Sequence, residues 1–190
     1  MFYLYFIIII ILISSCKERF SPKPKGYLRI DLEVKNDTLF NPKACPFYFN
    51  ASDYFKLNLK NHCWLDLEYK KHNATVHITY KEVGGNLFQL LAESRNLVYK
   101  HTIKADAINE KTYLNSEHQT YGTLYDIKGE TASSVQFHLT DSVNNFIRGA
   151  LYFHANPNQD SLKPIINYLR DDIIQIMETL RWEDPVVSVK

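Results

Sequence analysis

Residues 121–154 read YGTLYDIKGETASSVQFHLTDSVNNFIRGALYFH. Three runs in this stretch, Tyr121–Lys128, Ser133–Thr140 and Phe146–His154, alternate apolar and polar residues with the period of two that a half-buried strand requires. In the middle run Val135, Phe137 and Leu139 point one way, and Gln136, His138 and Thr140 the other. Gly129 and the polar run Asp141–Asn145 supply the turns. The stretch therefore reads as a three-strand meander.

The same alternation recurs upstream. Cys63–Tyr69, CWLDLEY, turns Leu65, Leu67 and Tyr69 inward, and Ala74–Tyr80, ATVHITY, groups Ala74, Val76, Ile78 and Tyr80. With a turn at Lys70–Asn73 the two make a hairpin. Tyr27–Glu33, YLRIDLE, reads as another strand, with Leu28, Ile30 and Leu32 on its buried face. Cys45–Asn50, CPFYFN, reads as a short edge strand because Pro46 lacks a backbone donor, and Lys35–Ala44 reads as loop.

Two segments switch to the helical period. After Gly84-Gly85, Asn86 reads as an N-cap with Gln89 three residues on. Leu87, Leu90, Leu91, Ser94 and Val98 then form a stripe reaching about Thr102. After a loop at Asn156–Asp160, residues Leu162, Ile165, Ile166, Leu169, Ile173, Ile176, Met177 and Leu180 form a longer stripe, with Pro164 in the first turn. Strands come in hairpins and not in alternation with helices. The expected fold is α+β: an antiparallel sheet of about five to six strands flanked by two main helices.

Composition fits such a domain. The chain has 190 residues, 45% hydrophobic and 14% aromatic, with a formal net charge of +1. That rules out a disordered chain, and the charge balance argues against nucleic acid as a partner. No internal repeat or low-complexity segment occurs.

The amino terminus carries an address. MFYLYFIIIIILISSC is apolar from Met1 to Ile13, then Ser14, Ser15 and Cys16 follow. The run is shorter than the roughly 20 residues needed to span a bilayer and has the shape of a secretory signal. Ile13-Ser14-Ser15-Cys16 resembles the lipobox of bacterial lipoproteins, in which the cysteine sulfur receives a diacylglycerol and the new amino group is acylated, as with palmitate. Several chains at roughly 0.8 kcal/mol per buried CH₂ hold firmly, where one binds marginally. No Lys or Arg precedes Cys16, so an ordinary signal peptide or a short membrane-dipping segment with an incidental cysteine is the alternative. The expected organisation is a signal peptide over 1–15, the lipidated Cys16 and a polar tether over 16–26, one α+β domain over 27–182, and a tail over 183–190.

Two cysteines then remain, Cys45 and Cys63. In an exported chain such a pair closes into a disulfide, worth roughly 3 kcal/mol by loop closure. Two buried free thiols are the alternative. A zinc pair lacks the CxxC or His-x-x-x-His spacing that would complete it.

Reactive groups are scattered. Among seven histidines, His77, His138 and His154 lie on expected strands without local ligand spacing. Ser133 and Ser134 lack the Gly-x-Ser-x-Gly elbow. Asp66 and Glu68 share the outer face of one strand. Gly84-Gly85 is not a phosphate loop. Lys100–Asp106, and Arg29 and Asp31 with Arg148, are candidate partner surfaces. No catalytic residue, cofactor or metal is expected. The exposed members of 13 tyrosines leave a small-ligand or glycan-binding module as the alternative function.

The motifs PKPKGYLRIDL (Pro22–Leu32), CWLDL (Cys63–Leu67), YKHTIKADAI (Tyr99–Ile108), YGTLYDIKGETASSVQFHLTDS (Tyr121–Ser142), FIRGALYF (Phe146–Phe153) and NPNQDSLKP (Asn156–Pro164) resemble the gliding motility lipoprotein GldD family. The resemblance covers nearly all of the chain after Cys16 and departs most at Val34–Ala44 and Asp53–His62. It implies a non-enzymatic cell-envelope lipoprotein of gliding Bacteroidota, serving gliding and the associated type IX secretion machinery. Its lipidated cysteine falls on Cys16, and its other two on Cys45 and Cys63. The implied partners are a membrane, through the Cys16 lipid, and other envelope proteins. Lys17-Glu18-Arg19 only half matches a surface-export signal, which favours the periplasmic side. The element order also resembles PsbP-like domains, a likeness of fold that does not fix function.

Overall fold

The structure is a computed structural model and describes residues 35–43, 45–154 and 159–183. The expected signal segment, Cys16, the tether, the strand at Tyr27–Glu33 and the tail beyond 183 lie outside those residues.

Seven strands form the main sheet: β3 (Lys56–Leu59), β4 (Leu65–Tyr69), β5 (Ala74–Glu82), β6 (Ala105–Asn115), β7 (Thr120–Gly129), β8 (Ser133–Thr140) and β9 (Asn145–Phe153). Their order is β3-β4-β5-β9-β8-β7-β6, every neighbour antiparallel. Two meanders meet where β5 pairs with β9, Val76 opposite Leu151 and Ile78 opposite Gly149. A second sheet has β2 (Phe47–Ser52) between β1 (Asp37–Phe40) and β10 (Arg181–Trp182). Helix α1 (Leu87–Tyr99) follows β5, and helix α2 (Gln159–Thr179) follows β9.

The fold is α+β and antiparallel with two main helices, as the periodicities require, but among the described residues it has ten strands where five to six were expected. Four strands were missed, β1, β3, β6 and the two-residue β10, and each explains itself. β1 and β6 are exposed along most of their length, so neither bears the apolar face that makes a strand legible. β3 has four residues. The aromatic strand at Cys45–Asn50 is central and not an edge. Pro46 precedes β2 and still contributes, its carbonyl accepting from the Glu183 amide at 2.9 Å. The loop expected at Asn156–Asp160 gives way to helix from Gln159, which places Pro164 in the second turn. Asn86 precedes α1 without a side-chain cap bond, and Gln89 bonds to Glu93 within the helix.

One face of the main sheet carries the core. Leu65, Leu67, Tyr69, Val76, Ile78, Phe137, Leu139, Ile147 and Leu151 pack against Leu169, Ile173, Ile176 and Met177 of α2 and against Phe47 and Phe49 of β2. A Cβ on Gly149 would stand 2.1 Å from the Phe137 ring, so only glycine lets that ring lie on β9. Inside this core Asp172 is buried, ion-paired with Lys35 at 2.6 Å and accepting from Ser52 at 2.8 Å. A buried carboxylate is tolerated only with partners of this kind. Arg170 of α2 grips Asp126 of β7 through two bonds of 2.6 and 2.8 Å.

Candidate functional site

Two places outside the core gather side chains with work to do. The first is a cleft at the end of the β4–β5 hairpin. Asn61–Cys63 forms a single 3-10 turn in which His62 (φ 59°) and Cys63 (φ 55°) both adopt left-handed backbone. Two adjacent non-glycine residues in that region cost free energy that the surroundings must offset. The offset is local: Cys63 is bonded to Cys45, with Cα atoms 5.4 Å apart, and the Lys60 amide donates to the Trp64 carbonyl at 2.7 Å. The turn leaves Trp64 45% exposed.

Below it lies a cleft of about 990 Å³, reached by Cys45, Pro46, His62, Trp64, Tyr80 and Asn145 among others. Tyr80 donates to Asn145 at 2.8 Å, and Asp141 holds Asn145 in turn. Burial, with the charges of Glu82 and Asp141, pushes the Tyr80 phenol up to about 12, so it stays a neutral donor. Lys43, Lys81, Glu82 and Glu183 add charges of both signs. An exposed indole, a fixed phenol and charges of both signs suit a binding surface of mixed polarity.

The second place is the face of the main sheet opposite the core. Asp66 pairs with His77 Nδ1 at 2.6 Å and with Lys60. Burial raises the Asp66 carboxyl, but the bonds from Lys60 and His77 outweigh it and hold it below its ordinary range. Arg148 donates to Gln136. His138 lies between the rings of Phe146 and Tyr125, at 5.8 and 5.9 Å, and burial pushes it down to about 4. Helix α1 covers the β7–β8 side of this face, where Val98 packs with Tyr125 and Ile127. Its polar side is tied down by Lys81–Glu93 at 3.1 Å and by Tyr99 donating to Glu110 at 2.6 Å.

The sequence candidates separate on this frame. His77, His138 and His154 do occupy neighbouring strands or their ends, but each has its own partner: Asp66 for His77, the aromatic rings for His138, and Thr75 at 2.8 Å for His154. No group of three metal-ligating side chains occurs among the described residues. Ser133 and Ser134 are buried, and Ser133 donates to the Val135 carbonyl. Glu68 shares the outer face with Asp66 as read, and accepts from Asn58. In Lys100–Asp106 the exposed feature is Ile103, at 92%. Arg29 and Asp31 lie outside the described residues. Arg148 is half-buried and bonded to Gln136, not a solvated charge. Sequence reading missed the Trp64 cleft, whose left-handed turn has no glycine to announce it. It also placed Gln136 and His138 on the polar side of a half-buried strand, where the structure buries both.

A family model described as gliding motility lipoprotein GldD matches residues 17–182. Among solved structures the chain is similar to the solution structure of cyanobacterial PsbP (CyanoP) from Synechocystis sp. PCC 6803. The TM-score is 0.48 and the identity 6%, over 80% of this chain and 95% of that one. No curated protein matches the sequence.

Proposed function

This chain belongs to the gliding motility lipoprotein GldD family, and on that premise we propose that it is a non-enzymatic accessory component of gliding motility and the associated type IX secretion machinery. The family makes it a gliding-associated lipoprotein of the cell envelope. In this reading residues 1–15 are removed as a signal peptide. Acyl chains on Cys16 anchor the chain at a membrane, and residues 17–26 hold the folded part off the lipid on the periplasmic side. The folded part presents the Trp64 cleft to another envelope protein of the machinery.

The observation that carries this reading is the non-glycine left-handed turn at His62–Cys63, held by the Cys45 bond and placing Trp64 at the mouth of the cleft. Exposed aromatic side chains of this kind are the usual energetic anchors of protein interfaces. Side chains of catalytic type are engaged in the fold: Ser133 with the Val135 carbonyl, Asp66 with Lys60 and His77.

Two experiments test it. Cys16→Ala in cells should move the protein from the membrane to the soluble fraction; retention on membranes rejects the lipid anchor. Trp64→Ala should leave abundance and melting temperature nearly unchanged while abolishing gliding and lowering type IX secretion. Full gliding and secretion by that variant reject the cleft as the contact surface. A second reading, a small-ligand or glycan site, draws on Trp64, Tyr80 and Asn145 lining one cleft. It predicts quenching of Trp64 fluorescence by soluble envelope glycans.

A further inference from the structure

A second pocket, of about 440 Å³, lies between α2 and the β6–β7 hairpin. That volume is in the range of sites that take a whole small molecule. Lys128 of β7 and Lys163 of α2 stand at its rim, with Asn109 of β6 and Asn167 of α2. All four are exposed, so the pocket is open to solvent. It shares no residue with the Trp64 cleft.

Two observations show what it is built to take. The first is a bulge. On β8, Ser133 stands opposite Tyr152 and Val135 opposite Leu151. Those two partners are adjacent on β9, so Ser134 is an extra residue in the ladder, the device that re-aims a side chain out of strict alternation. Ser134 is 7% exposed and lines the pocket, and no hydrogen bond joins its hydroxyl to another described residue. Buried hydroxyls normally have a partner. The second is the charge balance. Three cations, Lys128, Lys163 and Arg170, share the pocket with one carboxylate, Asp126. Arg170 takes both oxygens of that carboxylate, at 2.6 and 2.8 Å. The two ammonium groups are left without a carboxylate partner among the described residues.

We infer that this pocket binds a small phosphorylated polyol. Lys128 and Lys163 hold the phosphate, and Asn109, Asn167 and Ser134 bond the hydroxyl groups. Two unanswered ammonium charges match a phosphate dianion, and lysine binds phosphate as a point charge. A carboxylate would answer only one of them. Carboxamides and hydroxyls both donate and accept, as the hydroxyls of a polyol do. The doubly bonded Arg170–Asp126 pair ties α2 to β7 and so fixes the distance between the two walls. The inference stands or falls independently of the proposed partner contact.

Isothermal titration calorimetry of the full chain in detergent micelles, in phosphate-free buffer at matched ionic strength, tests it with glycerol 3-phosphate, inorganic phosphate and glycerol. Glycerol 3-phosphate should bind saturably, inorganic phosphate more weakly, and glycerol not at all. Lys128→Gln and Lys163→Gln should each weaken binding about tenfold, the scale of one hydrogen bond to a charged group. Both side chains are exposed, so both variants should fold. Ser134→Ala should weaken it about threefold, the scale of a neutral hydrogen bond. Lys56→Gln on β3, at the opposite edge of the sheet from β6, should change nothing. Lysophosphatidate in the same micelles distinguishes the source: displacement of the bound probe assigns a lipid headgroup, and failure to displace it a soluble molecule. The inference is overturned by the absence of saturable binding of either phosphate probe. Binding that both lysine variants leave unchanged, or that Lys56→Gln weakens as much as they do, also overturns it.

Discussion

The two faces of the main sheet are made by the same strands and have opposite fates. On one, Phe137, Leu139, Ile147 and Leu151 meet α2 and β2 in a continuous apolar core. On the other, the alternate residues Gln136, His138 and Arg148 are buried or half-buried beside a small apolar contact in which Val98 of α1 packs with Tyr125 and Ile127. Burial is nearly complete for β8 on both sides, so the difference is not in how much surface is hidden. It is in whether the hidden surface is satisfied: Gln136 Nε2, His138 Nδ1 and Arg148 Nε have no hydrogen-bond partner among the described residues. The first face contributes stability. The second retains polar groups that a purely structural contact would have replaced with apolar ones.

That contrast can be broken at its strong side first. Phe137→Ala removes a fully buried ring from the centre of the dry face and should lower unfolding free energy by about 4 kcal/mol in urea denaturation. A loss under about 1 kcal/mol would show that the core is not where stability resides.

The disulfide sharpens the comparison from outside both faces. Replacing Cys45 and Cys63 together by Ser frees a loop with a sequence separation of 18 and should lower stability by about 3 kcal/mol by loop closure. It should also release the left-handed turn, so the fluorescence of Trp64 should change even in folded protein.

The polar face should announce itself through pH. Burial lowers His138 to about 4, so the folded state holds it neutral where the unfolded chain, near 6.5, takes a proton. Stability should therefore be complete above pH 6.5, fall between 6.5 and about 4 by about 2 to 3 kcal/mol, and gain no further loss from this residue below that. His138→Phe should flatten that slope in thermal melts across the window. Asp66 is also held low, so its loss belongs to the more acidic range.

Smaller effects test the margins. Arg170→Gln breaks a two-bonded pair whose partners are each 26% exposed, and should cost about 1 kcal/mol after solvent screening. Trp64→Ala should cost under about 0.5 kcal/mol in the same denaturation assay, because the side chain is nearly half exposed. Its effect belongs to function and not to folding.

Much of the fold was legible because period-two and period-3.6 patterns are written by burial on one face. β4, β5, β7, β8, β9 and α2 each carry such a face, and each was read at nearly its observed position. β6 was missed because its residues are mostly exposed on both sides: within the sheet it pairs with β7 only, and hydrogen bonds between backbones leave no mark on side-chain pattern. β2 was read as a strand but assigned to an edge, since Pro46 signals a missing donor without saying which strands lie alongside. Of the candidate sites, the alternation correctly separated Gln136 and His138 from Phe137 and Leu139, but gave no sign that both are buried.

The residues alone determined the class of fold, the inward set of each core strand, the long helix and the family, because each is a property of local periodicity or of contiguous motif. Only tertiary structure decided that β5 joins β9, that His62 and Cys63 bend the chain left-handed beside Trp64, and that Ser134 shares one pocket with Lys128 and Lys163. Those depend on which distant segments share a register, and the free energy of a register belongs to pairs of segments that no single stretch of sequence contains.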